Sequence, residues 1–501
     1  MLLVVMDMTI LATAIPPITD QFHSLDDVGW YGSVFFMTVA SSQSTWGKAY
    51  KYFDLKTVFL LTIFIFEVGS LICGVAQNSA TLIAGRAVTG YGAAGVLAGC
   101  YTIVGLAVSP EKRPAFAGVL AATYGVASSI GPVIGGVLTD RVSWRWCFYI
   151  NLPVGGVSAV IILLTFKTPP MARTEADANA PWTEKLRQMD LVGTCTIMAG
   201  VCCLLLALQW GGVSKAWSSA DVIGTLVGFG LITIAFLAIE YIQGDRALLV
   251  PHILKKKVNY MGCIVSFFLG GAEFTLIYYI PIYFQSILGT TAQDSGVRNL
   301  AFIIALTIFT VISGGAITAT GYFTPFAVIG AAIATIGSGL MYTWSQTTSA
   351  GGWIGYQVIA GTGMGLCFQA PIMAGQALSA PEDVSATTAM LLFFQTMGGA
   401  FMVSSAQAGF TNTLVKRLAV LAPSVDPQRV IAAGATRLHK TFVGEELEAV
   451  MQSYVGGLKV VFVIIMVLSG CGMLLSVGLP WVSIKNRAHE DKERTGEVAA
   501  L

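Results

Sequence analysis

The sequence predicts an all-α protein that crosses a membrane many times. Of its 501 residues, 55% are hydrophobic and 11% are charged, and the mean hydropathy is +0.73. Soluble domains carry about 25% charged residues, so this composition excludes an ordinary water-soluble globule. The net charge of +1 and the short basic runs give no indication of nucleic-acid binding. The lipid bilayer is therefore the expected surroundings of most of the chain.

Apolar runs of about 20 residues recur along the chain, and each is long enough to cross a hydrocarbon core of ~30 Å as a helix. Fourteen such runs are found, near residues 1–18, 30–50, 57–77, 80–106, 115–138, 146–166, 191–210, 221–242, 260–287, 298–318, 325–344, 353–378, 386–409 and 457–482. Because the number is even, we expect both termini on the same side of the membrane.

The spacing of these runs predicts how the chain is divided. Two six-helix bundles are expected, with two inserted spans between them, and the predicted segments are 1–166 (first bundle), 167–190 (cytoplasmic loop), 191–242 (inserted spans), 243–259 (cytoplasmic linker), 260–482 (second bundle) and 483–501 (cytoplasmic tail). Within the second bundle, the long charged segment 410–456 is predicted to be external.

A weak internal repeat favours duplication of the six-helix unit. The fourth span contains GRAVTGYGAAG and the twelfth contains IAGTGMG, which aligns Gly90 and Gly92 with Gly361 and Gly363. Duplicated membrane folds often bind substrate at the interface between their halves.

The distribution of basic residues predicts the orientation. One set of loops and the tail contains most of them, namely Lys48, Lys51, Lys56, Lys112, Arg113, Lys167, Arg173, Lys185, Arg187, Arg246, Lys255, Lys256, Lys257, Lys485, Arg487, Lys492 and Arg494. The opposite short loops contain Arg141, Arg145, Lys215 and Arg298. The first side is therefore predicted to be cytoplasmic. The run 1–18 has no basic start and contains Asp7, so we expect a retained helix rather than a cleaved signal.

A glycine-rich helix lies at the centre of the pattern. Residues 115–138 contain no charged side chain. The segment contains Gly125, Gly131, Gly135 and Gly136, with Pro132 among them. In lipid, small residues let helices approach closely. This helix is expected to pack tightly against a neighbour, either as a static packing face or as a face that moves.

Two segments here carry a family resemblance. GVASSIGPVIGG, followed by WRWCFYINLPVG, resembles the fifth and sixth helices of drug:proton antiporters of the major facilitator superfamily, in the fourteen-span fungal branch that exports toxins and drugs. The resemblance implies two six-helix halves, two extra helices and proton-driven export of amphipathic small molecules such as fungal secondary metabolites, toxins or drugs. It also implies residence in the plasma membrane, and a monomer is expected.

The fourth span contains a buried cation. LIAGRAVTGYGAAG resembles the superfamily motif RxxxGxGxG, with Gly90 and Gly92 in place and the last glycine displaced to Gly95. The family assigns the arginine, here Arg86, to proton coupling; a structural ion pair is the alternative. An arginine at mid-membrane costs about 2.5–3.5 kcal/mol on insertion scales and needs a partner.

The first span offers that partner. VVMDMTILATAIP resembles the first-helix motif of fourteen-span antiporters, which makes Asp7 the first candidate for pairing with Arg86. An acid inside a membrane is a functional candidate because burying its charge is expensive. Asp7 is thus predicted to exchange protons, or alternatively to orient a helix junction.

The ninth span combines an acid with aromatic residues. Glu273 is predicted to be a second proton or substrate site, and Tyr278 and Tyr279 to contact substrate before a helix break at Pro281. Aromatic faces with a nearby acid suit apolar, often cationic ligands. For the next aromatic pair, Tyr283 and Phe284, an interfacial aromatic belt is preferred.

Amide and acidic side chains occur in other spans. Gln369 and Gln395 are candidate substrate contacts, or they hold helices together through hydrogen bonds. Glu67 in the third span needs a partner that the sequence does not identify. The loop GKAYKYFDLKTVFL replaces the usual family aspartate with Lys51 and a glycine with Asp54. Its lysines are therefore interpreted as topological signals rather than as the family's charge lock.

Two rival functions are weighed against export. An importer of the same superfamily, for iron chelates or basic amino acids, would differ in coupling rather than in fold. A membrane enzyme would need clustered acids or histidines, whereas His23, His252, His439 and His489 are scattered. The nine cysteines are interpreted as small hydrophobic residues, and the GxxxxGK[ST] nucleotide loop is absent from the sequence. No enzymatic activity, cofactor or metal is expected.

Overall fold

The computed structural model describes residues 1–22, 28–109, 112–168, 181–212 and 215–483, and within these the chain is helical without a β-strand. The helices are α1 (Leu2–Phe22), α2 (Val28–Tyr52), α3 (Leu55–Val75), α4 (Ser79–Ala107), α5 (Arg113–Arg141), α6 (Trp146–Tyr149), α7 (Asn151–Thr165), α8 (Trp182–Gln188), α9 (Leu191–Trp210), α10 (Ala220–Gln243), α11 (Pro251–Leu254), α12 (Lys257–Ser286), α13 (Ala292–Thr320), α14 (Thr324–Met341), α15 (Ala350–Cys367), α16 (Ala370–Leu378), α17 (Val384–Leu421), α18 (Pro427–Thr441) and α19 (Gly444–Ser476).

Within the described residues, 12 helical segments are long and apolar enough to cross a membrane. The chain is therefore a multi-pass membrane protein. The other two predicted spans, α1 and α2, are also helical but fall outside this set; in α1 the apolar stretch is the shorter Leu2–Leu11. Helix α2 has 25 residues, or about 37 Å, and it carries a polar run that hydropathy penalises. That run, Ser41 to Thr45, is buried between neighbouring helices rather than exposed.

The segment predicted as a long external loop, 410–456, is largely helical. Helix α17 continues to Leu421 and spans 38 residues, about 57 Å, which exceeds the bilayer core. Helix α18 follows, with a kink at Gly434 (φ 59°), and α19 begins at Gly444. Hydropathy marks where apolar side chains stop, whereas the helical hydrogen bonds continue into the polar region.

Prolines interrupt two predicted spans and leave two helices continuous. The span near 146–166 divides into α6 and α7 around Ile150, just before Pro153, and the span near 353–378 divides into α15 and α16 just before Pro371. Proline lacks the N–H that continues a helix. Pro132 and Pro281 lie inside α5 and α12, so the helix break predicted at Pro281 is wrong.

The helices pack in a pattern that occurs twice. We call α1–α7 the N-terminal group and α12–α17 with α19 the C-terminal group. In the first, α4 packs on α2 and α3, α5 on α1, and α3 on α7; in the second, α15 packs on α13 and α14, α17 on α12, and α14 on α19. Gly90 and Gly92 approach α2 and α3 closely, Gly95 approaches α3, and Gly361 and Gly363 approach α13 and α14.

The two groups meet along two seams, α2 against α17 and α5 against α13. The pair α9 and α10 lies beside the first seam, because α9 packs on both α2 and α17. Polar contacts reinforce it: the hydroxyls of Thr45 and Thr194 lie 2.6 Å apart, and Gln209 donates to Ser33 at 3.0 Å. Helix α9 therefore contacts both groups rather than one.

Candidate functional site

A buried ion pair joins the first and fourth helices. Nη1 of Arg86 donates to Oδ2 of Asp7, and the two side chains are 1% and 0% exposed. Nε of Arg86 donates to the carbonyl of Tyr31 at 3.1 Å, and the guanidinium carbon lies 4.3 Å from the centre of the Phe35 ring. The arginine thus has an ionic, a hydrogen-bonding and an aromatic partner, which offsets the cost of burying its charge.

A buried amide holds the carboxylate from the other side. Nδ2 of Asn151 donates to Oδ1 of Asp7 at 3.2 Å and to Oγ of Ser70 at 3.1 Å. Because Asn151 is the first residue of α7 and Ser70 lies on α3, the site brings together five helices, namely α1, α2, α3, α4 and α7. Sequence reasoning assigned Asn151 no role, although it stands inside the INLPVG segment that carried the family resemblance; an amide in an apolar span was the available signal.

Helix α5 lies between α1, which carries Asp7, and the C-terminal group. A Cβ placed on Gly131 would lie 2.0 Å from Oγ1 of Thr9 and 3.1 Å from the carbonyl of Met6, both on α1. A Cβ on Gly125 would lie 2.2 Å from Oγ1 of Thr307 on α13. These glycines therefore let α5 contact α1 on one side, within two residues of Asp7, and α13 on the other side.

The other glycines of this helix occupy different surroundings. Gly135 is buried, and its carbonyl accepts a long hydrogen bond from the thiol of Cys147 at 3.8 Å. Gly136 has open space where a Cβ would be. Only part of the glycine pattern is thus used for close packing in this structure.

Aromatic side chains from both groups cluster around Phe274 of α12. Its ring centre lies 6.2 Å from Phe36, 6.4 Å from Tyr124 and 6.5 Å from Phe368, with edge-to-face geometry in each case. Phe36 and Tyr124 belong to the N-terminal group. Gln395 donates to the carbonyl of Phe368 at 3.3 Å and so supports the cluster from the C-terminal group. We call these four rings the aromatic cluster.

Glu273 precedes the central ring of the aromatic cluster and is 1% exposed. It lies within electrostatic range of Tyr124 and Cys367. Its Oε2 accepts no hydrogen bond from the residues that the structure describes. The acid is therefore buried where the two groups meet, with one oxygen left for another donor.

The two tyrosines that follow face different ways. Tyr278 is 40% exposed, and its hydroxyl lies 3.6 Å from where a Cβ on Gly32 would be, so it faces the N-terminal group, within electrostatic range of Arg86. Tyr279 is fully buried inside the C-terminal group and donates to Gln407 at 2.8 Å. The structure thus places Tyr278, and not Tyr279, next to the space between the groups.

The aromatic belt preferred for the next pair is wrong. Tyr283 and Phe284 are 1% and 0% exposed. Tyr283 stacks on Trp344 at 4.4 Å and donates to the carbonyl of Ser345 at 2.8 Å. Their helix face is turned to the core of the C-terminal group, which a hydropathy profile does not reveal.

Polar contacts also join the groups on the side of the bundle where α2 ends and α5 begins, which we call the basic end. Gln369 donates to the hydroxyl of Tyr101 at 2.9 Å, and Gln376 donates to the carbonyl of the same residue at 3.1 Å. Arg113 donates to the carbonyl of Gln376 at 2.7 Å. Gln369 is therefore a contact between the two groups.

A carboxylate at the basic end contacts three basic side chains. Asp383, which is buried, lies 3.6 Å from Lys51, 3.6 Å from Lys256 and 3.3 Å from His252. Lys51 belongs to the N-terminal group, so this ion pair links the groups. The interpretation of the loop lysines as topological signals alone is therefore incomplete: the substituted lysine makes a tertiary contact.

The family follows from a comparison of the whole chain with known proteins. The model of the Major Facilitator Superfamily matches residues 1–403. The chain belongs to this superfamily. Its members are transporters, and this protein is accordingly a membrane transporter rather than an enzyme.

Fungal relatives cover nearly the whole chain. An MFS-type transporter, GME11371 of Pestalotiopsis microspora, is 60% identical over 97% of this chain and 89% of its own length. The probable efflux pump gsfJ of Penicillium aethiopicum is 46% identical over 100% and 88% of the two chains. The MFS-type efflux pump MFS1 of Arthroderma benhamiae is 43% identical over 98% and 91%.

Solved structures share the superfamily fold. A bacterial homologue of the human lysosomal transporter Spinster, in an inward-facing and occupied conformation, superposes with a TM-score of 0.57 at 16% identity over 95% of this chain and 93% of its own. The human organic anion transporter MFSD10 gives a TM-score of 0.53 at 14% identity, over 93% and 96%. At these identities the likeness concerns the fold alone.

Proposed function

We propose that this transporter exports amphipathic small molecules in exchange for protons. The observation that carries the proposal is the buried Asp7–Arg86 pair, which sits beside the helix that contacts both groups. Relatives named as efflux pumps support the direction. Fungal secondary metabolites, toxins and drugs are the expected substrates.

In this proposal the chain forms fourteen spans: the 12 identified by composition together with α1 and α2. The N-terminal and C-terminal groups are the two six-helix halves, and α9 and α10 are the inserted pair. The basic end faces the cytoplasm, since basic residues are retained on that side. Both termini are then cytoplasmic, and the protein works as a monomer in the plasma membrane.

The coupling step is a proton exchange at Asp7. A proton that binds Oδ2 of Asp7 removes the charge that attracts Nη1 of Arg86, so the ion pair opens. Arg86 keeps its contacts with the carbonyl of Tyr31 and the ring of Phe35. Because α5 packs directly on α1 next to this site, a shift of α1 is transmitted to the seam between the halves.

Substrate binds in the aromatic cluster. Rings contributed by both halves accept flat apolar molecules by stacking, and a cation gains further from the ring faces. Glu273 supplies a carboxylate next to Phe274. Its Oε2 accepts no hydrogen bond from the described residues and is therefore available to a donor on the substrate. Tyr278, Gln369 and Gln395 complete the proposed lining, whereas Tyr279 is assigned to packing.

The direct test is efflux of rhodamine 6G, an amphipathic cationic dye, from cells that express the protein, with and without a protonophore. Each charge that moves through 100 mV supplies about 2.3 kcal/mol, enough for a gradient of roughly 40-fold. We expect lower dye content, and loss of the difference on adding the protonophore. Dye uptake above the level of empty cells would contradict export and favour an importer.

Glu273 is expected to set the charge preference. Glu273→Gln should lower efflux of rhodamine 6G by roughly tenfold, the size of one cation–carboxylate contact, and leave a neutral amphipathic dye within about twofold. The measurement is initial efflux rate for both dyes at matched surface expression. Equal losses for both dyes would mean that Glu273 supports the fold or proton coupling instead of reading substrate charge.

A further inference from the structure

Glu67 of α3 is a half-buried acid that the mechanism above does not use, and both of its carboxylate oxygens are buried. Helices α3 and α7 run antiparallel, and the hydrogen bond between Ser70 and Asn151 fixes their register. One turn along, Glu67 lies opposite Gly155: a Cβ on this glycine would be 1.6 Å from Oε1 of Glu67. Glu67 is therefore about 5 Å along the helix from the Asp7 site, on the side of the basic end, and it interacts electrostatically with Asp7.

The carboxylate of Glu67 lacks the partners that other buried acids have. Neither oxygen accepts a hydrogen bond from any described residue. By contrast, Glu240 accepts from the backbone N–H groups of Leu248 and Leu249 at 3.2 and 2.7 Å, and Asp7 accepts from two side chains. A charged carboxylate without donors is very costly in a membrane interior, and a bound proton removes that cost.

The charges around the site balance only if one proton is present. Asp7 and Glu67 contribute two negative charges and Arg86 one positive charge. The other titratable side chains described around this site are the thiols of Cys73 and Cys147, which lie within electrostatic range of Asp7, and the phenol of Tyr149, which lies against Gly74 of α3. A single proton shared by the two carboxylates makes the site neutral.

A second buried oxygen without a described hydrogen-bond partner supports a proton at this site. Asn151 is 0% exposed, and its Oδ1 accepts no hydrogen bond from the described residues. This oxygen is an acceptor one turn from Glu67, on the helix face that carries Gly155. It is placed in the same site as a carboxyl group that would donate when protonated.

We propose that Glu67 is the cytoplasmic proton relay of this transporter, an inference that rests on the proton exchange proposed above. When Asp7 is ionised and paired with Arg86, Glu67 carries the proton on a carboxyl oxygen. When Asp7 takes up a proton from the opposite side and the pair opens, Glu67 gives its proton toward the basic end. The total charge stays constant, because Asp7 gains one proton as Glu67 loses another, and transfer of the proton from Asp7 to Glu67 then restores the first state.

The test compares Glu67→Gln with parent protein reconstituted in vesicles. Relay loss should slow rhodamine 6G transport driven by a pH gradient about a hundredfold, the usual size of a positioned acid–base group. Exchange of labelled for unlabelled dye without a gradient should stay within about twofold. Glu67→Asp should recover part of the driven rate, and Glu448→Gln, an exposed glutamate of α19, should change neither. Driven transport at the parental rate in Glu67→Gln would overturn the proposal.

A second measurement needs no substrate and no transport. Infrared spectra of the parent, titrated with pH, should contain a protonated-carboxyl C=O band that is lost in Glu67→Gln and shifted in Glu67→Asp. The same band in parent and Glu67→Gln at every pH would overturn the relay. If the parent exports dye without protonophore sensitivity, the proposed antiport fails, while the band still decides whether Glu67 binds a proton.

Discussion

Replacing Asp7 with Asn is expected to abolish protonophore-sensitive efflux while leaving the protein folded. Asparagine keeps the shape and its one side-chain oxygen can still accept from Arg86 or from Asn151, which donate to different oxygens of Asp7, but it neither carries a negative charge nor binds a proton. Without exchange, export loses about 2.3 kcal/mol per charge at 100 mV, so a gradient of roughly 40-fold falls to none. The measurement is rhodamine 6G content at matched surface expression, with and without a protonophore.

The matched control removes the same charge from an exposed ion pair. Asp221 pairs with Lys215 at 2.6 Å, and the two side chains are 59% and 38% exposed. Such surface pairs contribute about 0–1 kcal/mol, so Asp221→Asn should leave efflux unchanged. Arg86→Ala should be more damaging to folding than Asp7→Asn, because it also removes the contacts with the carbonyl of Tyr31 and the ring of Phe35 and leaves a cavity. Protonophore-sensitive efflux in Asp7→Asn would remove Asp7 from the coupling step.

A leucine at Gly131 is expected to stop transport, while a leucine at Gly136 is tolerated. At Gly131 even a Cβ would lie 2.0 Å from Oγ1 of Thr9 and 3.1 Å from a backbone carbonyl. A full side chain must push α5 away from α1, and overpacking of this kind costs about 1–3 kcal/mol. At Gly136 nothing lies within 4 Å of the added Cβ.

The comparison is made on purified protein by thermal unfolding and in cells by dye efflux. We expect Gly131→Leu to lower the unfolding temperature and to reduce efflux about tenfold or more, because about 1.4 kcal/mol corresponds to a factor of ten. Gly136→Leu should match the parent in both measurements. Equal effects of the two leucines would show that the close contact between α5 and α1 does not matter for transport.

Much of the membrane architecture follows from composition and run length alone. The apolar runs correspond to helices, and 12 of them satisfy length and composition among the described residues. Helix α2 shows where this reasoning fails: its polar run from Ser41 to Thr45 is buried between other helices, so its surroundings are protein rather than lipid. Hydropathy records how apolar a segment is and does not record what covers it.

Charged residues inside spans were easier to interpret than aromatic ones. Arg86 and Asp7 attract attention because each needs a compensating charge, and the structure places them in contact. Tyr278 and Tyr279 are adjacent in sequence but face opposite directions, and Tyr283 packs into the core. The side of a helix that faces a neighbour depends on tertiary packing, which residue type alone does not specify.

Contacts between distant segments could not be derived from spacing. Asn151 reaches Asp7 across 144 positions of the chain, and Lys51 reaches Asp383 from the other helix group. In the sequence both are ordinary polar residues near the end of an apolar run. Their partners become visible only when the two helix groups are packed together.

Outward movement of substrate is expected to be exchanged for inward movement of protons at Asp7. The most direct measurement uses vesicles containing the purified protein and a trapped pH dye, to which rhodamine 6G is added without any imposed gradient. We predict that in the parent protons move in the direction opposite to rhodamine 6G, so that the trapped dye reports a pH change. This change should disappear in Asp7→Asn. Dye movement in the parent without any proton movement would contradict the account.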